Sequence, residues 1–225
     1  MAKSSTATLR CTEWRHLSKS IPTQPEQPAF PALKSHVLDE ISPAGLKRGT
    51  IVEIFGRRST GRTAFCSCLL AQATEQGEVC AVVDLHDTFH PASALASCID
   101  LQRILWIRCR GSLESALRAS DLLMHAGGFG IVYLDLCEAT SRQLNKIPVS
   151  YWHRFRRVLA NTPTILLVCA NVSLSKSISS SSLQATQKAA HWLGTGPFNY
   201  LDSLETQVTS EKISLIRPRS FLLQH

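Results

Sequence analysis

The chain has 225 residues, 44% of them hydrophobic and 18% charged, with a net charge of +7 and an isoelectric point near 9.1. That length and balance describe a globular protein with one sizeable core plus appendages. No apolar stretch reaches the roughly 18 residues that cross a bilayer, and MAKSSTATLRCTEWRHLSKS lacks the apolar centre of a secretory signal, so a cytoplasmic protein with no membrane partner is expected. The basic balance favours an anionic partner such as nucleic acid, with a solvated basic surface as the alternative. The eight cysteines form no CxxC pair or zinc-type spacing, and Cys66 and Cys68 point to different faces of a predicted helix. Reduced, packed thiols are therefore expected.

Residues 1–35 read as a flexible tail. Its prolines at 22, 25, 28 and 31 align along one edge of a polyproline helix, suited to a tether or a docked peptide, with a plain linker as the alternative. The core is expected over 36–225, where strand-like and helix-like segments alternate as in an α/β sheet. TIVEIF (50–55) is a predicted strand, 63–76 a helix closed by Gly77, and 79–84 a second strand. Pro91 opens a short helix over 92–98, ILWIR (104–108) is a strand, and Ser112 caps a helix running to about His125. GIVYLDL (130–136) and TILLVCA (164–170) are apolar enough to be parallel strands covered on both faces. Between them YWHRFRRVLA (151–160) reads as a basic helix, with Trp152 and Phe155 on its buried side. The serine-rich stretch 171–187 has no clear period and is read as a mobile loop, and LETQV and KISLI as an antiparallel edge hairpin.

The chemistry concentrates in GRRSTGRT, residues 56–63, between the first strand and its helix. A glycine-rich turn there aims backbone N–H groups and the helix dipole at phosphate oxygens. Gly56, Arg57, Arg58, Ser59, Thr60, Gly61, Arg62 and Thr63 are thus candidate nucleotide-binding residues; the alternative is a tight turn that binds nothing. ATP with Mg²⁺ is the implied cofactor, the metal held by the Thr63 hydroxyl and, through water, by Asp135 at the end of a buried strand. Arg62 stands where such loops carry lysine. A planar guanidinium is wider than an ammonium, so it is expected to displace the loop or sit outside it. His86, Asp87 and His90 offer metal-ligand types, but no second cluster accompanies them and no metal centre is expected. No nucleophile elbow is present.

GLKRGTIVEIFGRRSTGRT (45–63), CAVVDLHDTFHP (80–91) and GIVYLD (130–135) resemble, in order, three segments of the RecA-type recombinases. The resemblance covers about 41–170 and implies a RecA-like P-loop core with a mainly parallel sheet and helices on both faces. It also implies that a water-polarising glutamate belongs two residues after Asp84, where this chain has His86; neighbouring Asp87 points elsewhere and is a poor substitute. It places a DNA-contacting loop from Asn171 onward, so Lys176 joins Arg154, Arg156 and Arg157 of the basic helix as candidate contacts for single-stranded DNA or a protein partner. A short, basic chain with these departures is similar to the ImuA proteins of bacterial mutagenesis cassettes. That likeness implies a non-enzymatic accessory of damage-induced translesion synthesis, partnered by RecA and an ImuB-like polymerase homologue. The rival expectation is an active DNA-stimulated ATPase or recombinase; a cell-division inhibitor of the SulA kind would not require so complete a phosphate loop.

Overall fold

The computed structural model describes residues 30–35, 38, 42, 44–174, 178–194, 199–210 and 219–224. Among the described residues eight strands form one sheet in the order β3-β2-β4-β5-β1-β6-β7-β8. These are β1 (Ile51–Phe55), β2 (Cys80–Asp84), β3 (Ile104–Arg108), β4 (Ile131–Leu136), β5 (Ile165–Ala170), β6 (Ser181–Leu193), β7 (Tyr200–Ser210) and β8 (Arg219–Gln224). Strands β1 to β6 pair in parallel; β7 runs antiparallel to both β6 and β8.

The helices are α1 (Arg62–Glu75), α2 (Pro91–Ala96), α3 (Leu113–Ala126), α4 (Ser141–Leu144) and α5 (Val149–Leu159). The central strands are buried on both faces, which is why they read as continuous apolar runs. On one face Val52, Ile54, Val82 and Leu167 pack with Phe65, Leu69 and Leu70 of α1. On the other, Ile51, Val83, Leu134 and Val168 pack with Leu117 and Met124 of α3 and with Trp152, Phe155 and Leu159 of α5. Trp152 and Phe155 meet edge to face, ring centroids 5.9 Å apart, so they form the buried side of the basic helix as its spacing indicates. The Ser112 hydroxyl accepts from Ser115 N to cap α3. Thr140 and Gln143 close a capping box on α4, an element with no counterpart among the predicted ones. Among the described residues no helix is long and apolar enough to cross a membrane.

Two expectations change, and a third holds. The serine-rich stretch is not a loop throughout: residues 181–187 lie in β6, hydrogen-bonded to β1 on one side and β7 on the other. The C-terminal antiparallel edge hairpin is present: LETQV lies in β7 and its outer partner is β8, with Leu204 opposite Leu223, while KISLI falls outside the described residues. The folded body also begins before residue 36, since Leu33 is fully buried and bridges Leu46. The prolines at 22, 25 and 28 lie outside the described residues.

Arg48 secures that N-terminal segment. Its guanidinium donates to Glu78 Oε2 (3.0 Å), Gly130 O (3.2 Å) and Pro31 O (3.3 Å), with a second contact to Glu78 Oε1. Removing one partner of a mostly buried pair leaves the other without its charge. Arg48→Ala is therefore expected to cost about 2–3 kcal/mol, read as a lower urea midpoint with an unchanged slope.

Candidate functional site

The loop between β1 and α1 is held at its base by close approach. Gly56 N donates to Ala170 O (3.3 Å), and a Cβ on Gly56 would stand 2.3 Å from Ala185 O of β6 and 2.9 Å from Thr60 Oγ1. The nearer obstacle is a backbone carbonyl of the neighbouring strand, so Gly56→Ala should shift loop against strand, destabilising by about 1–3 kcal/mol in thermal melts. The loop tip is stitched by Thr60 Oγ1 donating to Arg57 O (2.8 Å). Ser59 and Gly61 take left-handed φ angles of 59° and 78°. Arg57, Arg58 and Ser59 are exposed at the tip, and Arg58 reaches Glu138 at 3.3 Å. No side chain caps α1, which leaves its first-turn N–H groups at the hollow of the loop.

Arg62 neither displaces the loop nor sits outside it. Its side chain turns inward, leaving the residue 4% exposed, and donates to three carbonyls: Gly56, Ala170 (3.1 Å) and Cys137 (3.1 Å). These follow or end β1, β5 and β4, so one guanidinium ties three adjacent strand ends together. The planar fork that fits poorly between phosphates fits three converging carbonyls well.

Asp84 and Asp135 lie side by side in register on β2 and β4, both buried. Asp135 accepts from Cys137 N (2.9 Å) and from Thr88 Oγ1 (3.0 Å). Asp84 accepts from Thr88 N (3.0 Å), Phe89 N (2.9 Å) and Trp106 Nε1 (3.1 Å), which fixes the turn after β2. Sequence reasoning used Asp84 only as a landmark; its signal was an acid closing an apolar strand. Thr63 is exposed at the head of α1, its hydroxyl 3.9 Å from Cys137 Sγ. His86, two residues after Asp84, is half-buried, its Nδ1 enclosed with no partner. Asp87 takes a φ of 61° and binds Arg108 Nε at 2.9 Å; that hydrogen bond holds its carboxyl below the usual range. His90 Nδ1 caps α2 by accepting from Ser93 N (3.2 Å), and among the described residues no three ligand-type groups are placed to hold a metal.

Residues 33–144 match the RecA N-terminal domain. The chain carries a RecA-like domain. It is also similar to protein RecA of Borrelia hermsii (strain HS1 / DAH), 33% identical over 110 residues, which is 48% of this chain and 31% of that protein. The chain thus matches about a third of the length of that relative. The family match includes the loop, Arg62, His86 and Asp135, and ends before α5 and β6.

Two further features involve residues past the end of that match. On α5, Arg154 pairs with Asp121 of α3, whereas His153, Arg156 and Arg157 are exposed without an acid on their own helix. Lys176 lies outside the described residues. The second feature escaped sequence reasoning. Glu53, in the middle of β1 and fully buried, accepts from Leu174 N (2.5 Å), Ser173 Oγ (3.1 Å) and Ser182 Oγ (3.3 Å). It anchors both ends of the segment that leaves β5 and returns as β6. A lone acid within an otherwise apolar strand was the available signal.

Beneath the loop of the RecA-like domain lie Cys66, Cys137 and Cys169, all buried, with the Cys137 and Cys169 sulfurs 3.1 Å apart. Desolvation pushes the Cys66 and Cys169 thiols up; at Cys137 the hydrogen bond with Cys169 does so first, then burial. Burial also pushes Cys80 up to about 12. Unfolded thiols ionise near about 8.5, so the folded state loses stability only above that pH, progressively toward about 12. Urea midpoints are expected to be flat between pH 7 and 8 on account of these groups and to fall steeply above about pH 9.

Proposed function

We propose that this RecA-like domain belongs to a catalytically impaired accessory protein of damage-induced mutagenesis. It acts in the cytoplasm during translesion synthesis by engaging RecA and an ImuB-like polymerase homologue. The reading follows the likeness to the ImuA proteins, and the observation that carries it is the placement of Arg62. Phosphoryl transfer depends on a cation positioned at the transferred group. Here the cation is buried and its donors are taken by the carbonyls of Gly56, Ala170 and Cys137. The position of the water-activating acid holds His86, and Asp87 is turned to Arg108.

The residues fit ATP and Mg²⁺ in part. The loop N–H groups, the head of α1 and the exposed Thr63 hydroxyl suit a phosphate and its metal. Arg62 does not fit, and both Asp135 oxygens already accept protein donors. No hydrolytic step is derived from such a site.

The test has two arms. ATP turnover with and without single-stranded DNA should stay at background; brisk turnover by the unaltered protein overturns the reading in favour of a DNA-stimulated ATPase, which the retained Thr63 and Asp135 would then serve. Pull-downs with RecA and an ImuB-like partner should recover the protein; binding to neither removes the accessory role. Turnover gained by Arg62→Lys with His86→Glu would support descent from an active ancestor.

A further inference from the structure

A groove of about 560 Å³ lies along the C-terminal half of α1, between that helix and the turn that leads from α2 to β3. It is remote from the phosphate loop, which meets α1 at its other end. Two hydrogen bonds lay the turn against the helix: Asp100 N donates to Thr74 Oγ1 (3.2 Å), and Arg103 Nη1 donates to Gly77 O (2.7 Å). The turn therefore runs alongside α1 in the same direction, and the residues before Asp100 lie beside those before Thr74.

Two free thiols line this open space from its two walls, the half-buried Cys68 of α1 and the exposed Cys98 of the turn. Cys68 shares one helix face with Gln72 and Glu75. Cys98 holds a φ of 62° just past the end of α2, the left-handed position where a helix ordinarily carries glycine. A sulfur is thus kept there against a backbone preference. The charges around the thiols are mixed. Glu75 and Asp100 are exposed acids, and Arg103 spends donors on Gly77 O and on Asp100 Oδ2 (3.2 Å) while its fork has others to offer. A cavity of this size with both signs on its walls suits a small zwitterion carrying an ammonium and carboxylates.

We propose that this groove is a thiol–disulfide exchange site for a low-molecular-weight zwitterionic disulfide, with glutathione disulfide as the probe. The Cys98 thiolate attacks one sulfur of the small disulfide, the S–S bond breaks, and one small thiolate leaves and takes a proton from solvent. Cys68 then attacks the Cys98 sulfur of the mixed disulfide, expels the second small thiol and leaves a Cys68–Cys98 bridge. The protein gives up two electrons and two protons, and the small disulfide is reduced to two thiols. Desolvation pushes the Cys68 thiol up, so it is the poorer first attacker and acts on a disulfide already held beside it. The bridge clamps α1 to the turn after α2. Exchange is read with no nucleotide or protein partner present, so its outcome does not depend on the accessory role.

Mass spectrometry of the full chain incubated with glutathione disulfide tests it. The unaltered protein should lose two hydrogens, with the peptides that hold Cys68 and Cys98 joined. Cys68→Ser should stop at a glutathione adduct on Cys98, and Cys98→Ser should leave Cys68 unreacted. Peptide mapping separates these products from any adduct on Cys11. Hydroxyethyl disulfide, which has no charges, should react at Cys98 several-fold more slowly than glutathione disulfide once each rate is divided by its rate with the protein unfolded in urea. Melting curves establish that each variant is folded. No reaction at Cys98, a mixed disulfide that persists there in the unaltered protein, a bridge between any other pair, or equal normalised rates for the two disulfides overturns the proposal.

Discussion

Arg62→Ala is expected to lower the melting temperature by roughly 10 °C, a larger effect than any substitution at the exposed loop tip. The guanidinium makes its hydrogen bonds inside the protein, and removing it leaves the carbonyls of Gly56, Ala170 and Cys137 facing a cavity. Charge-assisted hydrogen bonds contribute about 1.5–3 kcal/mol each and do not add fully, so a total near 3–5 kcal/mol follows for the set. In a domain of this size each kcal/mol moves the midpoint by about 2–4 °C. Arg62→Lys keeps a charge but cannot reach three carbonyls in one plane, so it should recover only part of the loss. If both variants melt with the unaltered protein, Arg62 is not the tie between strand ends described above.

Glu53→Leu is the second large effect, and it separates local from global stability. Leucine fills the volume but leaves Leu174 N and the Ser173 and Ser182 hydroxyls without their acceptor. Losing a charged acceptor for partly buried donors costs about 1–3 kcal/mol each without full additivity, so the set costs about 3–5 kcal/mol. The damage should centre on the segment after β5 and the start of β6. Amide exchange at Leu174 is then expected to accelerate more than 10-fold, while exchange in β2 and β4 changes only with global stability. Uniform acceleration throughout the sheet would show that Glu53 stabilises the fold as a whole and is no local anchor. Glu53→Gln, which keeps one carbonyl oxygen, should fall between.

Much of this architecture could be read before any coordinates. Strands β1, β2, β4 and β5 announce themselves because a parallel strand covered on both faces is apolar throughout. Ser112 marks the start of α3 by its capping chemistry, and Trp152 and Phe155 mark the inner side of α5. Strand β6 left no such mark. It is paired on both sides, so backbone hydrogen bonds hold it without help from an alternating pattern, and small serines such as Ser182 fit beneath Glu53 where a larger side chain would not. The position of the turn between β1 and α1 was legible from its glycines, but the direction of Arg62 was not. It depends on carbonyls at 56, 137 and 170, which come together only in the folded sheet.

The buried charges also alter how the molecule presents itself to a charged matrix. Among the described residues Glu53, Asp84 and Asp135 are sealed in the interior along with Arg48 and Arg62, so acids outnumber bases there. Among the described residues the solvent-facing charges are correspondingly more cationic than a count of all their charges indicates. Retention on a cation exchanger depends on the groups that touch the matrix, so it should exceed that of a protein with the same net charge whose acids all face solvent.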